Sequence, residues 1–177
     1  MRSIVILPTY NEKENIEKIA NGILEIDDRI RILIVDDNSP DGTGIIADKL
    51  ADTHKNRIKV LHRRVRGRGS AGIEGFQYAL KQDVDCIIEM DADFSHNPSY
   101  IPDFIHNIKH YDIVIGSRFV KGGGIIYRNT IRNVISIGAR ILTRIILGPH
   151  IRDWSGGFKC YRKSILASLD FDNFYSK

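Results

Sequence analysis

Five short runs of mostly aliphatic residues recur along the chain: Ser3 to Leu7, Arg31 to Val35, Ile58 to Leu61, Cys86 to Met90 and Asp112 to Ile115. They are near-continuous in Ile, Val and Leu rather than alternating, the pattern of strands buried on both faces. Between them lie Glu14 to Ile26, Gly44 to Asp52, Ala71 to Gln82 and Pro98 to Ile108, each long enough for a crossover helix. This alternation predicts an α/β fold, an open and mostly parallel sheet with flanking helices. After about residue 125 the strand rhythm stops and a longer helical segment begins. In such sheets ligands bind at the carboxyl ends of the strands, so the polar clusters there are the candidates for chemistry.

Composition narrows the class without naming a function. A length of 177 residues predicts one domain and a core large enough to need no metal or disulfide staple. Hydrophobic residues make up 42% and charged residues 27%, which excludes a disordered tail or a fibrous repeat. The net charge of +4 permits a phosphate-rich ligand or an anionic membrane surface and demands neither. Cys86 and Cys160 are the two cysteines, with no C-x-x-C spacing, which suits a reducing compartment. Arg2 leads straight into Ile4 to Leu7 and then Pro8, unlike a signal peptide, and no apolar run reaches 18 residues. A cytoplasmic protein is the expectation.

The strand ends carry acids. Asp91 and Asp93 are two apart, so in an extended segment they lean to one face. Such a pair suits a hard divalent cation that also touches substrate phosphates; the alternative is a helix cap and a solvated turn ahead of Pro98. Asp36 and Asp37 either accept from a nucleoside or serve as local turn and cap chemistry with Asp41-Gly42-Thr43. Gly67-Arg68-Gly69-Ser70-Ala71-Gly72 matches the dinucleotide fingerprint G-x-G-x-x-G, with Asp91 lying 19 residues past Gly72. It sits in the third βα unit, however, and His62 to Arg66 separate it from the preceding strand. A basic loop with Arg63, Arg64, Arg66 and Arg68 suits phosphate contact more generally, or is a solvated charged loop. The histidines share no metal-ligand spacing, with His96 beside the acids left open, and Trp154 suits either a sugar or the core.

Four segments in order, Pro8-Thr9-Tyr10-Asn11-Glu12, Val35 to Thr43, Asp91-Ala92-Asp93-Phe94-Ser95-His96-x-Pro98 and Gly116-Ser117-Arg118, resemble the glycosyltransferase family 2 pattern. Asp-Asn-Ser-Pro-Asp-Gly-Thr and Asp-Ala-Asp-Phe-Ser-His are similar to the dolichol-phosphate mannosyltransferase branch in particular. The resemblance implies a GT-A, Rossmann-like nucleotide-sugar-binding fold. It implies that Pro8, Tyr10, Glu12, Val35 and Asp37 line the nucleoside pocket, and that Asp91, Ala92 and Asp93 hold the diphosphate with Mg²⁺ or Mn²⁺. Ser95 falls where some relatives have a metal-touching Gln. Arg118 would face the phosphates, with Asp91, Asp93 and Arg118 as the catalytic set. Arg118, Arg132 and Ser136 match positions that hold the acceptor phosphate. Relatives carry Gly-Leu-Gly-Thr-Ala where this chain has Gly67-Arg68-Gly69-Ser70-Ala71.

The activity so implied is inverting transfer of a sugar, mannose from GDP-mannose, to the phosphate of a dolichol or polyprenyl lipid. Alternatives are another donor such as UDP-glucose, an NAD-binding oxidoreductase, or a binding module that transfers nothing. If the acceptor were a hydroxyl, Asp153 would be the candidate base, or else a cap. Ile131, Val134, Ile135, Leu142 and Ile145 fall at helical spacing beside Arg128, Arg132, Arg140 and Arg144. That pattern predicts either a basic amphipathic helix meeting the cytoplasmic face of a membrane or a helix packed on the sheet. Peripheral membrane contact and no nucleic-acid partner are expected. The expected organisation is one domain, a donor part over residues 1–120 and an acceptor-side part over 121–177, with relatives continuing beyond its C-terminus.

Overall fold

The computed structural model describes residues 1–118, 153 and 156–171. In chain order the elements are β1 (Ser3–Thr9), α1 (Ile16–Leu24), β2 (Ile30–Asp36), α2 (Thr43–Thr53), β3 (Ile58–His62), α3 (Arg68–Leu80) and β4 (Cys86–Glu89). A 3₁₀ turn at Pro98–Tyr100 then leads into α4 (Ile101–Asn107), followed by β5 (Ile113–Ile115), β6 (Lys159–Arg162) and α5 (Lys163–Ala167).

Two-residue periodicity decides which core each strand side chain enters. Val5, Leu7, Ile32, Ile34 and Ile88 meet Ile16, Ile19 and Ile23 of α1, Leu50 of α2, and Ile101 and Phe104 of α4. Ile4, Ile6, Leu33, Val35 and Ile87 enter the opposite layer, with Ala71 and Ala79 of α3 and Leu166 of α5. Both faces are therefore covered, as the unbroken aliphatic runs predict, and each such burial contributes about 1.5–3 kcal/mol. Helix α3 lies close on the sheet because Gly75 has no side chain; a Cβ there would stand 2.7 Å from Ile6 Cγ2.

The six strands run in the order β3-β2-β1-β4-β6-β5. β1 pairs in parallel with both β2 and β4, and β2 with β3. The chain thus steps outward from β1 to β3 and then returns past β1 to β4. The reversal between β1 and β4 leaves a crevice at their carboxyl ends, the place where open α/β sheets hold ligands.

The structure departs from the sequence reading in two places. β6 lies antiparallel to β4, pairing Cys160 with Ile88 and Lys159 with Glu89. Its Lys-Cys-Tyr-Arg alternation lacks the aliphatic run by which the other strands are read. β4 also ends at Glu89, so Asp91 and Asp93 stand in a bend rather than on an extended strand. Two compact units form, Met1–Val114 with Phe158–Lys177, and Ile115–Gly157. The basic helical segment, with Arg132 and Ser136, lies outside the described residues, as do His150 and Trp154. Among the described residues no helix is long and apolar enough to cross a membrane.

Candidate active site

β1 and β2 end level, Thr9 opposite Asp36, and the segments that follow are laced together. Three consecutive amides cross the gap: Asn11 N–H donates to Ser39 Oγ (3.1 Å), Glu12 N–H to Thr43 Oγ1 (2.9 Å) and Lys13 N–H to Asp41 Oδ2 (3.1 Å). Asn11 and Asn38 adopt positive φ, which asparagine tolerates better than most residues. Asp36 is buried and accepts from the Ser39 hydroxyl (2.5 Å), the Ser39 amide (3.2 Å) and Thr9 Oγ1 (3.3 Å). Of the adjacent acids, Asp36 is thus the turn-building one.

Asp37 points the other way and meets Arg63. The guanidinium of Arg63, a residue 7% exposed, donates to Asp37 Oδ1, Glu74 Oε1 (2.9 Å), the Gly67 carbonyl (3.2 Å) and Ser70 Oγ (2.6 Å). Gly67 N–H donates to Asp37 Oδ2 (2.7 Å). That amide is therefore committed to a carboxylate, whereas a dinucleotide site would turn it toward a pyrophosphate. From this root the loop sends out two arms: Arg66 lies 3.8 Å over the Tyr10 ring, and Arg68 Nη2 stands 2.5 Å from Asp91 Oδ1.

The bend after β4 is braced from below. Asp91 N–H donates to His96 Nδ1 (2.9 Å), the His96 ring stacks on Phe158, and Phe158 packs on Phe104 at 4.4 Å between centroids. Ser95 N–H donates to Asp93 Oδ1 (2.9 Å). Phe94 between them takes φ 62°, a strained value for an aromatic residue and the kind of cost that clusters at functional loops.

These segments enclose a cavity of about 310 Å³ lined by Pro8, Thr9, Tyr10, Glu12, Asp37, Arg66, Arg68, Asp91, Ala92 and Asp93. Glu12, Asp91 and Asp93 are among its carboxylates. Burial raises the Glu12 pKa above its ordinary value; Asp93, Asp41 and Asp91 push the same way, against a hydrogen bond from Asn15. Burial also opposes the charge of Asp93, but hydrogen bonds from Ser95 and the nearby His96 hold its pKa below the usual range. Carboxylates outnumber the two lining arginines, Arg66 and Arg68, so an anionic ligand is better accommodated here when a cation comes with it. Among the described residues no group of three or more His, Cys, Asp or Glu forms a closed cage. Two hard carboxylates beside an open cavity are the donor set Mg²⁺ or Mn²⁺ uses when substrate oxygens complete the shell, so the residues present fit such an ion.

Of the expected site residues, Pro8, Tyr10, Glu12, Asp37, Asp91, Ala92 and Asp93 converge on this cavity. Val35 and Ser95 are not among its lining. Val35 is fully buried beside Gly75, because its place in β2 turns it to the α3 face. Ser95 instead donates its amide to Asp93 Oδ1. Arg118 belongs to the second unit, where Nε and Nη2 each donate at 2.8 Å to the buried Asp153 carboxylate. A carboxylate engaged on both oxygens by a guanidinium is poorly placed to take a proton, which disfavours Asp153 as a base. In sequence Arg63 is one more arginine of the basic loop, beside Arg64, Arg66 and Arg68. Extending the β3 alternation by one step places it on the Leu61 face, under α3, and marks it as buried.

Residues 4–170 match the model of glycosyl transferase family 2. The chain is 38% identical, over 178 residues, to a polyprenol monophosphomannose synthase of Mycolicibacterium smegmatis, a match covering 99% of this chain and 67% of the relative. It is 39% identical, over 178 residues, to an undecaprenyl-phosphate mannosyltransferase of Micrococcus luteus, covering 100% of this chain and 73% of that one. Among solved structures it resembles a mannosyltransferase of Pyrobaculum calidifontis in complex with GDP-Man and Mn²⁺ (TM-score 0.62, 20% identity, 94% of this chain and 46% of that one). It also resembles glucosyl-3-phosphoglycerate synthase of Mycobacterium tuberculosis with Mn²⁺, UDP and its product (TM-score 0.70, 20% identity, 94% of this chain and 58% of that one). The chain thus spans about half the length of these solved structures, and at that identity they establish the fold alone, which is GT-A. With a family match that covers residues 4–170 of its 177, the chain belongs to glycosyl transferase family 2.

Proposed function

We propose that the chain transfers mannose from GDP-mannose to the phosphate of a polyprenyl lipid, inverting the anomeric carbon. The reading rests on one observation: a carboxylate pair set at the β1/β4 reversal, across one cavity from Pro8, Tyr10 and Glu12. Relatives at 38–39% identity, one a polyprenol monophosphomannose synthase and one an undecaprenyl-phosphate mannosyltransferase, support the sugar and the acceptor class. The Pyrobaculum protein bound to GDP-Man and Mn²⁺ supports the donor and the ion.

In this reading Pro8, Tyr10 and Glu12 hold the nucleoside, and Asp91 and Asp93 hold a Mg²⁺ or Mn²⁺ ion against the diphosphate. The ion supplies charge stabilisation for the departing nucleoside diphosphate. Asp37 works at one remove, fixing the Arg63–Gly67 loop over the cavity. A phosphate monoester has a second pKa of about 6, so the acceptor reaches the site already anionic. It needs no general base, and the protein's part is to position two anions and exclude water. Arg118, held by Asp153, is the candidate second anion-binding group. Peripheral contact with a membrane belongs to the same proposal, since a polyprenyl acceptor resides in a bilayer.

The test is transfer of radiolabelled mannose from GDP-mannose into the organic phase with undecaprenyl or dolichyl phosphate. The expected result is a mild-acid-labile lipid product whose formation stops with EDTA and resumes with Mn²⁺ or Mg²⁺. Transfer from UDP-glucose in preference would keep the family and change the substrate.

A further inference from the structure

The cavity holds a contact that a donor-binding role for Asp91 leaves unexplained. Asp91 Oδ1 is taken by Arg68 at 2.5 Å, while the other oxygen stands 3.7 Å from His96 Nδ1. A guanidinium has no lone pair to offer a metal, and a divalent cation on the same carboxylate would meet the positive charge of Arg68 at contact distance. Arg68 and a metal ion therefore compete for the charge of one carboxylate.

The loop is built so that the Arg68 side chain can leave while its backbone stays in place. Gly67 is fixed through both its amide and its carbonyl, and the Ser70 hydroxyl is bound to Arg63 and to the Gly67 carbonyl. The backbone on either side of Arg68 is thereby held. The Arg68 side chain is about half exposed, at 51%, and it is ion-paired with Asp91. A rotation about its own side-chain bonds swings the guanidinium within the cavity that it and Asp91 both line.

We propose, resting on the donor-site reading above, that Arg68 is a diphosphate-binding residue that trades partners. It neutralises Asp91 until a divalent cation takes that carboxylate, and it then pairs with the nucleoside diphosphate that the cation accompanies. Metal and nucleotide consequently bind with positive cooperativity. The metal alone must displace Arg68 without offering it a new partner, whereas metal with nucleotide supplies one.

The test measures binding rather than turnover. Mn²⁺ is titrated into the whole chain by electron paramagnetic resonance, with and without GDP, for the wild type, Arg68→Leu, Arg68→Lys and Asp91→Asn. Arg68→Leu is expected to bind Mn²⁺ alone about threefold to tenfold more tightly, since an exposed ion pair and its charge repulsion are removed. The same variant is expected to bind GDP about tenfold more weakly at saturating Mn²⁺, the loss of one charge-assisted hydrogen bond. Arg68→Lys keeps the charge and recovers part of both effects. A merely structural role would weaken both titrations together, and that result overturns the proposal, as does Arg68→Leu equal to wild type for Mn²⁺ alone. If Asp91→Asn abolishes Mn²⁺ binding while Arg68→Leu matches wild type, the donor site stands and the trade of partners falls. If the wild type binds no Mn²⁺ even with GDP, the donor-site reading falls and the proposal with it.

Discussion

The two rims of the cavity are fastened by different chemistry. On the β1/β2 side, amides 11, 12 and 13 are bound to Ser39, Thr43 and Asp41, hydrogen bonds made within the protein. On the β3/β4 side the fastening is by arginine: Arg63 ion-paired with Asp37 and Glu74, Arg66 over the Tyr10 ring, Arg68 ion-paired with Asp91. The first rim is a preformed wall. The second consists of a buried root with two exposed arms, whose partners are the groups a cation and a diphosphate would approach. One half of the site thus supplies shape and the other supplies replaceable charge.

Breaking the root should have the largest effect. Arg63→Met strands Asp37 in a buried position, and removing one partner of a buried ion pair costs about 3–5 kcal/mol. A urea titration should show that loss as a lower midpoint with an unchanged slope; a shift smaller than about 1 kcal/mol would mean the root is not what holds the rim.

The fixed rim should respond less, and with a pH signature. Partial burial works to raise the Asp41 pKa, but hydrogen bonds from the Thr43 hydroxyl, the Thr43 amide and the Lys13 amide outweigh it and hold the group below its ordinary value. A depressed carboxylate stabilises the fold above its unfolded pKa and loses that contribution as pH falls through the folded value. Asp41→Ala is expected to cost about 1 kcal/mol at neutral pH, with the gap to wild type closing as the solution is acidified below pH of about 4. A gap that stays constant to acid pH would show that the Asp41 charge does not hold the rim.

The smallest effect belongs to an arm. Arg66→Ala removes an exposed cation–π contact worth about 0.5–1 kcal/mol, so thermal unfolding should move little. A large drop in the melting temperature would make Arg66 part of the root.

The sequence carries the wall more plainly than the arms. Strand ends are legible because buried strands read as Ile, Val and Leu runs and stop where polar residues begin, so Pro8 to Glu12, Asp37 and Asp91 to Asp93 could be placed at one sheet edge. β6 was not legible, since Lys159 to Arg162 are half charged and gain their place only by pairing with β4. Val35 shows the limit of carrying roles over by position: it sits in the right segment, yet the strand's period turns it into the core. Arg63, Arg66 and Arg68 look alike as letters in one basic loop. Only the tertiary structure assigns one to a buried root and two to the cavity, because their partners lie 26, 56 and 23 positions away.

The most direct test of the cavity as a metal-assisted nucleotide-sugar site is calorimetric titration of the wild type, Asp91→Asn and Asp93→Asn with GDP-mannose, each with Mn²⁺ and with EDTA. The expected result is binding by the wild type in Mn²⁺, lost in EDTA and lost in both variants. Equal binding in EDTA, or binding unchanged in both variants, would contradict it.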